Sequence, residues 1–501
     1  TGHDMRIYNT MLNYLYQTSH ILITEERENI VKNNTLNQTN LWRFGISGDR
    51  PIIFLEVESS DDLSLIKELL HAFEYYKSKS IFIDLVILNS RLDDKDIIAK
   101  EIDDEKYHMY AINSFNKIPG NIYIIDPNDV SFEEINLFKT VARLNIDSKK
   151  HHTLESFVKE LQKSNITSRK EKRIIKDSLP ILYNYKNLKF YKNHGGFINN
   201  GKKYVITCSD TPLIWCNVIA NPNFGSIISN NATGFTYANN SREYKLTSWT
   251  NDPLLNDISE GIKINDINLN YDYCEISFGS ISWQGRINGF DIILKQFVAT
   301  DDPIKFYTIK VKNNNSKKQR LTFKYWINPC LGVTEEKTGR YILSEFNIEK
   351  NYIALINKYS QHFKNLTTFM SCTLPIIDAE IKKIIYKQME TVIYLEPDEV
   401  KEFAFILGAN EEVEPLLDKY NTINKIKKEE KKVEKYWKNM LEEIQIKTPD
   451  DSFNYMVNGW LAYQTITSRL FAKAGFYQVG GAYGFRDQLQ DAMNICTINS
   501  D

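Results

Sequence analysis

Between residues 184 and 412 the chain is written in short runs of alternating apolar and polar residues, broken by Asn, Gly, Asp and Ser. Lys203-Tyr-Val-Ile-Thr-Cys208, Lys305 to Val311 and Leu321 to Trp326 are examples. A period of two puts successive side chains on opposite faces of a sheet, and turn residues at this spacing fold the chain back on itself. So long a stretch of such runs predicts a large antiparallel β-sandwich of two sheets. The 29 Tyr and 26 Phe suit such sheets, either as core packing or as platforms for sugar rings.

The flanks follow other rules, and the fold class they predict is multidomain α+β. Residues 1–165 read as an α/β domain. Pro51-Ile-Ile-Phe-Leu-Glu-Val57 and Ile81-Phe-Ile-Asp-Leu-Val-Ile-Leu88 are strand-like, and Asp61 to Lys77 has helical periodicity through Leu63, Ile66, Leu69, Leu70 and Phe73. Strand, helix and strand at this spacing predict a parallel pair with a crossover. Ile122-Tyr-Ile-Ile125 is a further strand, and Phe132 to Val141 a further helix with Glu133 and Glu134 in its first turn. Residues 166–183 form a basic, polar linker, too short and too interrupted by acids for a nucleic-acid patch.

After the sandwich, residues 413–448 read as a charged helical linker, with Lys427-Lys-Glu-Glu-Lys-Lys432 on a solvated face. A new helix begins at Asp451, and its spacing predicts that Phe453, Val457, Trp460, Leu461 and Gln464 share one face. The last region, 449–501, holds about 50 residues, too few to close a helical domain around its own core.

Lys plus Arg number 62 and Asp plus Glu 64, giving a formal charge of −2. That balance argues against bulk nucleic-acid binding and against a polybasic membrane surface. Six scattered cysteines form no C-x-x-C pair, so neither a metal site nor a disulfide framework is expected. Free thiols in a reducing, cytoplasmic setting is the simplest reading. No uninterrupted apolar run is long enough to span a membrane. The first residues do not form a signal peptide, and the lack of an initiator Met leads us to expect a natural N-terminus upstream.

Two segments concentrate chemistry. Gly480-Gly-Ala-Tyr-Gly-Phe-Arg-Asp-Gln-Leu-Gln-Asp491 puts a glycine turn, an arginine, two carboxylates and two amides into one short run. Ionised Asp only accepts hydrogen bonds, Arg only donates and Gln does both, which matches the hydroxyls of a sugar ring. If a helix begins near Arg486, Asp487 and Asp491 stand at i and i+4 on one face. Composition alone equally fits a helix start with capping acids. Asn239 to Pro253 crowds Arg242, Glu243, Trp249, Asn251 and Asp252 into the sandwich region. This fits a saccharide contact, or a hairpin and turn ending at Pro253. A third glycine-bearing stretch, Leu41 to Pro51, precedes a strand, whereas phosphate loops follow a strand and open a helix. It reads as a structural turn.

The run Gly484 to Asp491 resembles the barrel motif of glycoside hydrolase family 94, the inverting β-glucoside phosphorylases. Asn240-Ser-Arg-Glu243 with Trp249-Thr-Asn-Asp-Pro253 resembles the same family's sandwich signature. Leu41-Trp-Arg43 through Gly48-Asp49 resembles the extra N-terminal region shared by 1,2-β-oligoglucan phosphorylases and the phosphorylase-like part of cyclic β-1,2-glucan synthases. The resemblance covers most of 36–501. It implies a supersandwich, a helical linker and the beginning of an (α/α)6 catalytic barrel, with a small C-terminal β domain in the whole enzyme.

The activity it implies is that of a glycosyltransferase (a hexosyltransferase): reversible phosphorolysis of β-1,2-glucooligosaccharides with inversion, giving α-D-glucose 1-phosphate. Inorganic phosphate is the co-substrate and no cofactor is expected. One carboxylic acid protonates the leaving oxygen while phosphate attacks the opposite face, in place of the water of an inverting hydrolase. The family's acid lies in a Trp-Asn-Asp-Gly segment that does not occur in 1–501, so no catalytic residue is expected here. The chain alone is expected to be inactive and to need the remaining half of the barrel as a partner. The resemblance implies sugar contacts from Arg486, Asp487, Gln488, Gln490 and Asp491, and from Arg242, Glu243, Trp249, Asn251 and Asp252. Leu489, Ala492, Met493 and Ile495 are expected to lack packing partners without the rest of the barrel. The matching region of a cyclic β-1,2-glucan synthase and a non-catalytic carbohydrate-binding scaffold are the other readings; oligomeric state stays open.

Overall fold

The computed structural model describes residues 2–16, 25–89, 99–100, 102–104, 120–163, 187–208, 211–232, 234–249, 259–268, 271, 273–381, 386–474, 480–482 and 486–496. The expected linker at 166–183 lies outside them. The chain divides into two compact units, Thr1–Lys170 with Lys358–Gln361, and Glu171–Asn357 with His362–Asp501. Among the described residues no helix is long and apolar enough to cross a membrane.

The first unit is built on a four-stranded sheet of β1 (Ile52–Val57), β2 (Asp84–Asn89), β3 (Ile122–Ile125) and β4 (Leu144–Asp147), in the order β3-β2-β1-β4. Every pair in it is parallel. The helix Leu63–Ser78 makes the predicted crossover between β1 and β2. The strand read at Ile81 begins only at Asp84. Residues 79–83 are used to close the helix: Ser80 turns left-handed at φ +58°, and the amides of Ser80 and Ile81 donate back to Lys77 and Tyr76. Ser131 and Glu134 form a reciprocal capping box that starts Phe132–Val141. The stretch ahead of β1 is a 3-10 turn, Gln38–Phe44, ended by Gly45 at φ +74°. There Arg43 donates to Glu134 at 2.8 Å and to the Asp129 carbonyl at 2.6 Å.

Among its described residues the second unit contains three antiparallel sheets, of eleven, five and five strands, rather than the two sheets expected from the alternation, which marks strands but not how they divide into sheets. Strands such as Phe290–Val298 and Lys387–Leu395 alternate inward and outward positions, as the sequence pattern requires. Their inward residues join one core that includes Trp283, Phe297, Tyr307, Phe323, Tyr325 and Phe405. Within it lies a sealed ion pair of Lys305 with Glu260. Lys305 also donates to Thr236 Oγ1 at 2.5 Å and to Ser226 Oγ at 3.2 Å, so the network joins strands from all three sheets. Burial holds the Lys305 ammonium below the usual lysine range.

Two helices follow where a single charged one was read. Val413–Tyr420 ends at Asn421, and Thr422 caps a new start for Ile423–Leu441. Ile426, Val433, Trp437 and Leu441 pack into the sandwich core, which leaves the lysine-rich side outward. A further helix runs from Asp451 with Asp450 as its cap, and two π-helical stretches, Met456–Trp460 and Thr465–Phe471, interrupt it. The predicted face of this helix is only partly the buried one: of its residues Trp460 is buried and Val457 half-buried. Phe453, Leu461 and Gln464 are exposed, while Gly459, Trp460, Ala462, Tyr463, Ile466 and Thr467 are buried. Gly459, Tyr463 and Ile466, with Trp460 and Thr467 beside them, keep the three- and four-residue spacing of a helical stripe, but that stripe is centred on the small residues Gly459 and Ala462, where the helix comes so close that a Cβ at Gly459 would lie 2.6 Å from Phe278. The helix docks on the sandwich through Trp460 Nε1, which donates to the Gly201 carbonyl at 2.6 Å, and through the Tyr463 hydroxyl, which donates to Val218 at 2.7 Å and accepts from the Gly279 amide at 3.0 Å.

Candidate functional site

The site forms where the sandwich loop after Gly234–Ala238 meets the chain leaving the 451–471 helix. Asn240 organises the loop. Its Oδ1 accepts from the amides of Arg242 at 2.9 Å and Glu243 at 3.0 Å, an Asx turn that lifts both charged side chains outward. The same side chain donates through Nδ2 to the Gly481 carbonyl at 2.5 Å, and Ser241 donates to the carbonyl of Ala472. These bonds join residues more than 230 positions apart. Gly481 is at φ +71°, and a Cβ there would lie 2.7 Å from both Arg242 Cβ and Asn240 Oδ1. The glycine turn read from sequence is required at Gly481 by its close approach to the sandwich loop.

Beneath the loop, Lys245 donates to the carbonyls of Val333 at 3.0 Å and Arg242 at 3.3 Å. Burial keeps its ammonium below the usual lysine range. Arg242 is exposed and lies 3.5 Å from Glu243. Trp249 stacks on Phe235 at 4.6 Å between ring centres, in a small core with Tyr237, Ala472 and Ala474. One face of its indole is thus committed to packing. Asn251 and Asp252 lie outside the described residues, as do Tyr483, Gly484 and Phe485.

The helix Asp487–Ile495 places Asp487 and Asp491 at i and i+4. Arg486, Asp487 and Gln490 are exposed. Gln488 is buried; its Nε2 donates to the Ala482 carbonyl at 3.0 Å, and its Oε1 is buried without a partner among the described residues. Asp491 accepts from Arg469 Nε at 2.6 Å. Arg469 is absent from the sequence reading above. Its signal is a single charge in the otherwise uncharged run Thr465 to Ala472.

Two family models match the chain. Residues 202–384 match the glycosyl hydrolase 94 supersandwich domain, and residues 436–501 match the catalytic domain of the glycosyl hydrolase 94 superfamily. Both segments are similar to glycoside hydrolase family 94. The loop at Asn240–Trp249 falls within the supersandwich match, and Arg469 and Arg486–Asp491 within the catalytic one. The cyclic β-(1,2)-glucan synthase NdvB of Rhizobium meliloti (strain 1021) is 24% identical over 527 residues, which cover 92% of this chain and 18% of the synthase. N,N'-diacetylchitobiose phosphorylases of Vibrio proteolyticus and Vibrio furnissii are 20% and 19% identical, over 62% and 61% of this chain and 45% of each phosphorylase. The chain therefore spans less than half the length of these relatives.

Proposed function

We propose that the chain is the N-terminal part of a carbohydrate phosphorylase that reversibly cleaves β-1,2-glucooligosaccharides with inversion, releasing α-D-glucose 1-phosphate. The observation that carries this reading is the junction of two family-94 segments: Asn240 and Ser241 hold the sandwich loop against Ala472 and Gly481, just ahead of the helix bearing Asp487 and Asp491. Arg486, Asp487, Gln490 and Asp491 would grip hydroxyls of the sugar in the donor subsite, with Arg242 and Glu243 at its rim. Phosphate is the co-substrate and no cofactor is used. The general acid and the phosphate-holding groups are expected beyond Asp501, so residues 1–501 alone would not turn over.

Phe453, Leu461, Leu489 and Met493 are exposed, and further barrel helices would cover them. Contiguous apolar patches of more than a few hundred Å² are uncommon on soluble monomers. The test is to incubate the natural full-length protein with β-1,2-glucooligosaccharides and phosphate and to follow glucose 1-phosphate and its anomeric form. Formation of the α anomer is expected. No glucose 1-phosphate, or turnover by residues 1–501 alone, would overturn the reading.

A second reading, the phosphorylase-like region of a cyclic β-1,2-glucan synthase, is favoured by the synthase match, which extends over 92% of the chain, whereas the two chitobiose phosphorylases cover 62% and 61%. The length of the natural open reading frame separates the two.

A further inference from the structure

Asp491 spends only one of its carboxylate oxygens inside the fold. Arg469 Nε donates to Oδ2 at 2.6 Å, and Arg469 Nη1 donates to the Ala474 carbonyl at 3.2 Å. The second bond anchors the guanidinium to the backbone just beyond the π-helical stretch Thr465–Phe471. Asp491 Oδ1 and Arg469 Nη2 have no partner among the described residues, and neither is a sealed polar atom. The Arg469 side chain is 16% exposed and that of Asp491 36%, so an open donor and an open acceptor reach solvent at the edge of a largely buried pair. A guanidinium is a planar fork with fixed donor directions, and its bond to the carboxylate fixes the direction of the remaining acceptor. Neighbouring hydroxyls on a pyranose ring each donate and accept, and so complement one open donor beside one open acceptor.

We propose that Arg469 and Asp491 together form a diol clamp: Nη2 donates to one hydroxyl of the bound sugar, and Oδ1 accepts from the adjacent hydroxyl. Arg469 is thereby a sugar-contacting residue as well as the group that orients Asp491. This rests on the carbohydrate-phosphorylase reading given above.

The test compares wild type, Arg469→Ala and Arg469→Lys in the natural full-length protein, with each fold checked by thermal unfolding. Donor oligosaccharides lacking single hydroxyls on the terminal glucosyl unit serve as probes. In wild type, loss of either clamped hydroxyl should lower kcat/KM about 10- to 150-fold, the range for a charged hydrogen bond. In Arg469→Ala, loss of the hydroxyl served by Nη2 should cost little more, while loss of a distant hydroxyl should cost as much as in wild type. Guanidinium ion added to Arg469→Ala should recover part of the activity, and Arg469→Lys should keep one contact but not the coupling to both hydroxyls. Equal penalties in wild type and variants would reduce Arg469 to a structural role and overturn the clamp. Should wild type make no glucose 1-phosphate, the functional reading fails by itself, and the clamp is judged by calorimetric titration of glucooligosaccharide. Binding at least about 10-fold weaker in Arg469→Ala would support it; equal affinity, or no binding to wild type, would overturn it.

Discussion

The parallel sheet of the first unit and the sandwich of the second close their cores by different sequence rules. β1 and β2 are covered on both faces: Ile53, Leu55, Leu85 and Ile87 pack into one cluster, and Ile52, Phe54, Val86 and Leu88 into another. Almost every position is therefore apolar, and the periodicity vanishes into a continuous run. Sandwich strands such as Phe290–Val298 and Lys387–Leu395 have one inward face and keep the alternation, whereas Phe224–Ser229 and the second half of Val400–Asn410 are buried on both faces. Buried charge divides in the same way. Asp84 begins β2 at the end of the parallel sheet; Arg50 approaches it at 3.5 Å from a partly exposed position, and burial raises its carboxyl pKa. Lys305 and Glu260 sit inside the sandwich with no such outlet. In the parallel sheet the buried carboxylate stands at a strand end, where Arg50 and the Asn121 amide reach Oδ1 while Oδ2 has no partner among the described residues. In the sandwich the buried charge is met by an opposite charge and two hydroxyls drawn from three sheets.

Four measurements would break or sharpen this contrast. Lys305→Met alone strands the Glu260 carboxylate and should cost about 3–5 kcal/mol, the typical penalty for breaking a buried pair. Native-state hydrogen exchange should report the loss in the sandwich strands. Adding Glu260→Leu should recover most of it, and equal losses in the single and double variants would remove the pair from its tying role. Leu85→Ala should cost roughly 2–5 kcal/mol through the cavity it leaves, read as lost protection in β1 to β4. Tyr394→Ala, at an outward sandwich position, should stay within about 0.5 kcal/mol. Similar effects at the two positions would erase the distinction between two-sided and one-sided strands.

Ser131→Ala removes one arm of the capping box of Phe132–Val141 and should cost about 1 kcal/mol by urea denaturation of the first unit. A small effect also belongs to the half-buried Arg286–Asp291 pair, which links neighbouring sandwich strands, and Asp291→Asn should cost no more than about 1 kcal/mol. Arg286 holds the Asp291 carboxyl below the usual carboxylate range. Its contribution is thus present above the unfolded value of about 3.9 and is lost as pH falls through the lower folded value. The variant should show a shallower loss of stability below about pH 4; an unchanged acid limb would mean the pair contributes nothing.

Much of this was legible in the residues. Continuous apolar runs around a helical repeat marked β1, the crossover and β2, and alternation marked the sandwich. The 451–471 helix was legible as a helix but its buried face was not, because the helix docks over the small residues Gly459 and Ala462 and leaves the large apolar Phe453 and Leu461 exposed. The break at Asn421-Thr422 was hidden within a uniformly charged run. At the site, the Asp487–Asp491 spacing was readable because it is local. Arg469 was not, because its partner lies 22 residues further along and the two meet only when the helix exit folds back.

Local rules therefore settled the elements of this protein: periodicity, capping residues and turn residues act over a few positions, and they are written where they act. The tertiary structure alone decided which groups meet. Asn240 and Ser241 reach Gly481 and Ala472, Lys305 reaches Glu260, and Arg469 turns one oxygen of Asp491 inward and leaves the other open. Each of these contacts depends on the three-dimensional packing of distant segments. Hydrogen-bond reach is about 3 Å in space and carries no record of separation along the chain.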